Sequence, residues 1–97
     1  MKFSDNMNEC KIIIMGFGSV GQGIAQAIAL KKAMIKDKYG VELKVVAAAD
    51  SSTSAINPDG LEEMLLIHTK NSEGKLSAYP EYGSNISGLD VLDAVDY

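Results

Sequence analysis

Arginine is absent from this sequence: the nine cations among its 97 residues are all lysines, set against 13 acids for a formal net charge of -4. A chain with that balance repels phosphate backbones, so nucleic acid is excluded as an expected partner. Only Lys31 and Lys32 are adjacent, and with Lys36 and Lys38 they read as a solvated helix face rather than a polyanion site. Cysteine is nearly absent too. Cys10 alone allows no intrachain disulfide, and with no Cys or His nearby it offers no metal site, which suits a reducing compartment. No run approaches the roughly 18 apolar residues of a membrane span. The opening MKFSDNMNE has no apolar signal core, so no membrane partner and a cytoplasmic location are expected. The one histidine, His68, sits beside Leu65 and Ile67 in a helical pattern and reads as a helix-boundary residue, not a catalytic one.

What is present is a 46% hydrophobic chain, enough for the packed core of one domain but short for an enzyme that must hold both cofactor and substrate. Residues 1–10 are polar and read as a flexible lead-in. Residues 11–15 carry three successive isoleucines, which suits a central strand buried on both faces of a parallel sheet. From Ser19 a helix is expected to about residue 38, with Val20, Ile24, Ala27, Ile28 and Ile35 as its inner stripe and Gly40 as its stop. Residues 41–49 form the second strand, and the strand–helix–strand unit implies a right-handed crossover.

A second helix is signalled by Asn57 as N-cap, Pro58 in its first position and acids at Asp59, Glu62 and Glu63, with Leu61, Met64, Leu65 and His68 facing inward. Residues 72–85 read as a surface loop, and Ser87 with Asp90 resembles a capping box opening a short helix over residues 89–95. The order β-α-β-α-loop-α is the N-terminal part of an α/β, Rossmann-type doubly wound parallel sheet. Two parallel strands with open edges do not stand alone, so residues 11–97 are expected to be an incomplete dinucleotide-binding domain and Tyr97 not the natural end of the fold.

In the stretch KIIIMGFGSVGQGIAQAIA the glycines fall as G-x-G-x-x-G, after the first strand and before the helix. A lone match is weak, but strand, glycines, helix, second strand and acid agree. Gly16 permits the tight turn, Gly18 lets backbone approach a pyrophosphate without a Cβ in the way, and Gly21 lets the helix pack close. The helix starting near Ser19 points unpaired N–H groups and a partial positive charge at the phosphates, so an acidic, arginine-free chain is able to bind a dianion. Asp50, at the end of the second strand, is the acid expected to accept from the adenosine ribose hydroxyls. It stands further along than the usual spacing of about 20 residues because the helix runs on through KKAMIKDK. A carboxylate there favours NAD, whose 2′-hydroxyl donates to it, over NADP, whose 2′-phosphate it repels. Ser51 and Ser52, helped by Lys70 or Lys75, leave NADP open. The competing readings are a structural corner for the glycines and a solvated acid opening a loop for Asp50.

The motifs IIIMGFGSVGQGIAQAI, VVAAADSS and SNISGLDVLDAVDY, with the long lysine-rich helix between the first two, resemble the N-terminal part of homoserine dehydrogenase over nearly all of residues 11–97. The resemblance implies an NAD(P)-dependent oxidoreductase interconverting aspartate semialdehyde and homoserine, on the route to threonine and methionine, and a homodimer when full length. It places the glycine turn at the pyrophosphate, through Gly16, Phe17, Gly18, Ser19, Val20 and Gly21, and Asp50 with Ser51 at the ribose. The substrate and dimerisation domain and the catalytic lysine and acids have no counterpart here, so no catalytic or metal-binding residue and no turnover are expected from these residues alone. Two alternatives remain at this point: another amino-acid or semialdehyde dehydrogenase sharing the same first half, and a nucleotide-sensing regulatory domain without chemistry.

Overall fold

A computed structural model describes residues 8–88 and 90–95. In chain order these form β1 (Asn8–Met15), α1 (Ser19–Tyr39), β2 (Val41–Ala49), β3 (Ser54–Leu61), α2 (Glu63–Glu73), a 3-10 turn (Leu76–Ala78), β4 (Gly83–Ser84) and α3 (Asp90–Ala94). β1 and β2 run parallel, with Asn8 opposite Val41 and Met15 opposite Ala49, and α1 makes the crossover between them. Asn8, Glu9 and Cys10 therefore belong to the strand and not to a lead-in. Their side chains are exposed and follow no apolar alternation, yet their backbone pairs with β2 and Glu9 meets Lys44 at 2.7 Å. Residues 1–7 lie outside the described part, as does Leu89, the expected first residue of the third helix.

The sheet is mixed. β2 pairs antiparallel with β3, and β3 with β4, in the order β1-β2-β3-β4. β1, expected at the centre, thus lies at one edge of the strands described. The expected helix start at Asn57 is instead a turn within β3. The Asn57 carboxamide oxygen accepts from the Asp59 N–H at 3.0 Å, and its nitrogen donates to the Gly60 carbonyl at 3.0 Å. Asn-Pro-Asp-Gly is as good a turn sequence as a helix start, because an Asn side chain closes a turn on its own backbone. β3 bulges there, its register jumping between Val45 and Ala47. α2 starts later, and Glu62 donates its N–H to the Tyr79 hydroxyl at 3.0 Å.

The helices present smaller residues to the sheet than a count of large apolar side chains suggests. α1 buries Gly21, Ala25 and Ile28, while Val20 is 78% and Ile24 47% exposed. A Cβ on Gly21 would run into the Gly16 carbonyl oxygen, so α1 lies close against the turn with its small residues inward and Val20 and Ile24 turned out. α2 likewise buries Glu63, Leu66 and Thr69, leaving Met64 and His68 exposed. Lys32 of α1 reaches Glu63 at 2.9 Å and ties the two helices. Two apolar layers result, one under α1 and α2 around Phe17, Val45 and Leu66, the other between the opposite sheet face and α3 around Val46, Ala49 and Val91. Within the expected surface loop, Leu76 and Tyr79 are buried in the first layer, spaced too sparsely among polar residues to show a period.

Candidate functional site

The C-terminal ends of the parallel strands β1 and β2 converge on the glycine turn. Gly16 leaves β1 with φ +96°, a conformation that favours glycine, and donates its N–H to the Ala49 carbonyl at 2.8 Å. Phe17 is 1% exposed, its ring packed in the core. Gly18 is extended, and a Cβ placed on it would meet nothing within 4 Å. The first bond of α1 runs from Gln22 N–H to the Gly18 carbonyl at 2.9 Å, and no side chain caps the helix among the described residues. The N–H groups of Ser19, Val20 and Gly21 are therefore the unsatisfied first donors of a 21-residue helix whose first turn holds no acid. An open cleft of about 580 Å³ runs along this end, lined by Met15, Gly16, Gly18, Ser19, Val20 and Ile24 among others. Donors, partial positive charge and open space are what a phosphate-bearing ligand requires.

At the end of β2, Asp50 is buried rather than presented to solvent. Its Oδ1 accepts from the N–H groups of Ser52 at 2.9 Å and Thr53 at 2.6 Å. Its Oδ2 accepts from the Thr53 hydroxyl at 2.8 Å, from Leu76 N–H at 3.1 Å and from Lys70 Nζ at 3.3 Å. Burial opposes ionisation, but the bonds from Ser52, Thr53 and Leu76 outweigh it and hold the carboxyl well below the usual carboxylate range. Ser51 and Ser52 are exposed beside it. Lys70 also donates to the Gly74 carbonyl at 3.2 Å, and Lys75 is exposed.

The structure thus brings Gly16 to Gly21 together in one turn, and the Ala49 carbonyl joins that turn to the strand leading into Asp50 and Ser51. Thr53, Lys70 and Leu76 complete the second cluster. The first was readable, since Asp-Ser-Ser-Thr is a sequence in which an Asp side chain caps the backbone two and three residues on. The contact with Leu76 depends on tertiary packing. No group of three or more His, Cys, Asp or Glu side chains able to hold a metal is present among the described residues.

A parallel strand pair, a tight glycine turn between strand and helix, and an acid closing the second strand define a Rossmann-like α/β domain. The sequence profile of the Glutamate/Leucine/Phenylalanine/Valine dehydrogenases matches residues 1–96, and the chain belongs to that family. The chain is also similar to homoserine dehydrogenases. It is 47% identical over 85 residues to the homoserine dehydrogenase of Methanocaldococcus jannaschii, covering 88% of this chain and 25% of that protein. To the NAD(+)-dependent homoserine dehydrogenase of Pseudomonas canavaninivorans it is 32% identical over 85 residues, covering 87% and 24%. A hyperthermophilic archaeal homoserine dehydrogenase solved in complex with NADPH superposes with a TM-score of 0.71 at 31% identity, over 88% of this chain and 25% of that one. The chain spans about a quarter of the length of these relatives. The resemblance seen in the glycine turn and the motifs after it, and the Rossmann-type fold it implied, are thereby borne out, with the antiparallel strands β3 and β4 as additions.

Proposed function

We propose that this chain is the cofactor-binding part of an NAD(P)-dependent oxidoreductase that interconverts aspartate semialdehyde and homoserine, on the route to threonine and methionine. One observation carries the reading: the free N–H groups at the start of α1 face an opening kept clear by Gly18. There the pyrophosphate is held by the backbone of residues 16–21, and the adenosine end lies toward Asp50 and Ser51. A bound nicotinamide cofactor supplies or accepts the hydride. These residues bind and orient it, while substrate and proton donor are held by a further, dimerising domain of a cytoplasmic homodimer. The lack of an arginine to pair with a 2′-phosphate supports NAD as the favoured cofactor. Lys70 offsets the charge of Asp50 and two serine hydroxyls flank it, which supports acceptance of NADP as well.

Titration of the intact protein carrying this chain with NADH and NADPH tests the reading, followed by a homoserine-dependent reduction assay with both oxidised cofactors. Binding of both, NADH the tighter, with turnover of homoserine, is the expected result. Dinucleotide binding with no turnover of any hydroxy or amino acid would instead establish a nucleotide sensor.

A further inference from the structure

The acid that ends the second strand of such a domain is expected to accept hydrogen bonds from ribose hydroxyls. Asp50 stands at that place but has no capacity left. An ionised carboxylate offers about four lone-pair sites. Here the N–H groups of Ser52, Thr53 and Leu76, the Thr53 hydroxyl and the Lys70 ammonium supply five donors to its two oxygens. The side chain is 5% exposed, so a ligand has almost no approach to it. The loop is bonded in both directions, since Asp50 donates its own N–H to the Thr53 carbonyl at 2.9 Å. Thr53 Oγ1 accepts in turn from Leu76 N–H at 3.0 Å and from Ser77 N–H at 3.3 Å. Three elements distant in sequence, the end of β2, the last turn of α2 and the 3-10 turn, thereby meet on one carboxylate.

We propose that Asp50 is a positioning residue: it fixes residues 51–53 between β2, α2 and the 3-10 turn, and the adenosine ribose is met by Ser51 and Ser52, not by the carboxylate. This rests on the cofactor-binding reading above and sharpens it. Ser51 and Ser52 are the exposed residues of the loop, their backbone held by Asp50 on one side and Thr53 on the other. Rigid presentation of two hydroxyls lowers the ordering cost of binding, as a free loop would not.

The test is a double-mutant cycle on the intact protein, crossing Asp50→Asn with Ser51→Ala/Ser52→Ala and reading the affinity for NAD. In the Asp50→Asn variant a carboxamide nitrogen would face donors from Thr53, Leu76 or Lys70, which loosens the loop. Alone it is expected to weaken NAD on the order of tenfold, and to add no more than about twofold once both serine hydroxyls are gone, because its effect passes through them. Independent, additive penalties, as for a carboxylate that touches the ribose itself, would overturn the proposal. So would a lowered melting temperature with unchanged affinity, the mark of a purely structural side chain. Should the variant not fold, Thr53→Val keeps the carboxylate and removes its hydroxyl partner. It is expected to weaken NAD when the serines are present and not when they are absent, and unchanged affinity would overturn the proposal. Failure of the wild type to bind any dinucleotide would overturn the cofactor-binding reading itself, and this inference with it.

Discussion

Gly18 and Gly21 are close neighbours in one motif and are required for unrelated reasons, which makes them separable by experiment. At Gly21 the constraint is internal, because any Cβ would collide with the Gly16 carbonyl and push α1 off the sheet. At Gly18 the free protein has room, and the backbone is in a region that alanine adopts. Gly21→Ala is therefore expected to destabilise by about 1–3 kcal/mol, as other overpacked positions do. Gly18→Ala is expected to stay within about 0.5 kcal/mol of wild type in stability, as a substitution touching nothing would. On the proposed binding mode its effect falls on the dinucleotide, whose pyrophosphate would take the space the new methyl enters, and cofactor affinity is expected to drop at least about tenfold. Urea denaturation alongside cofactor titration separates the two. A Gly18→Ala variant that binds normally would remove the pyrophosphate from this turn.

Between elements, the Asp50 cluster links β2, α2 and the 3-10 turn, and its charge makes the link sensitive to acid. The carboxyl is held below its ordinary value in the folded chain, so its contribution is complete above the unfolded pKa, near 4, and is lost as pH falls through the lower folded value. Stability attributable to Asp50 is expected to be level from neutral pH to about 5 and to decline progressively below about 4. Asp50→Asn should flatten that acid limb relative to wild type, as measured by denaturant unfolding at a series of pH values. Parallel limbs in the two proteins would mean that the cluster does not hold the charged form. The same elements show what a sequence discloses. α1 and β2 were legible because a long period and a continuous apolar run each have one reading, and the glycine turn was legible because its flanking elements were. β3 was not, because Asn57 and Pro58 signal a helix start and a turn equally well, and only pairing with β2 decides between them. The inward face of α1 was misjudged for a related reason: size marks the apolar residues, whereas close approach selects the small ones, Gly21 and Ala25. Asp50 was found by position, but its role depends on Leu76 and Lys70, brought to it by the fold.

At the scale of the molecule, the sheet is protected on one side and bare on the other. β3 covers β2, whereas β1 has no strand on its outer edge among the described residues. Beside that edge Met15 is 45% exposed, and Val20 and Ile24 of α1 are exposed with it along one cleft. A row of free backbone donors and acceptors next to apolar side chains pairs readily with another chain. The net charge of -4 opposes association only weakly once salt screens it. A polypeptide of these 97 residues, produced alone, is therefore expected to self-associate, with an apparent mass in sedimentation that rises above 10.3 kDa as concentration increases. Ile24→Lys, which places a charge beside the edge without touching the buried face of α1, should return the distribution toward the monomer. Sedimentation of the unsubstituted polypeptide as a monomer at every concentration would mean that the β1 edge is closed by some other means, and that the apolar side chains along it are tolerated singly.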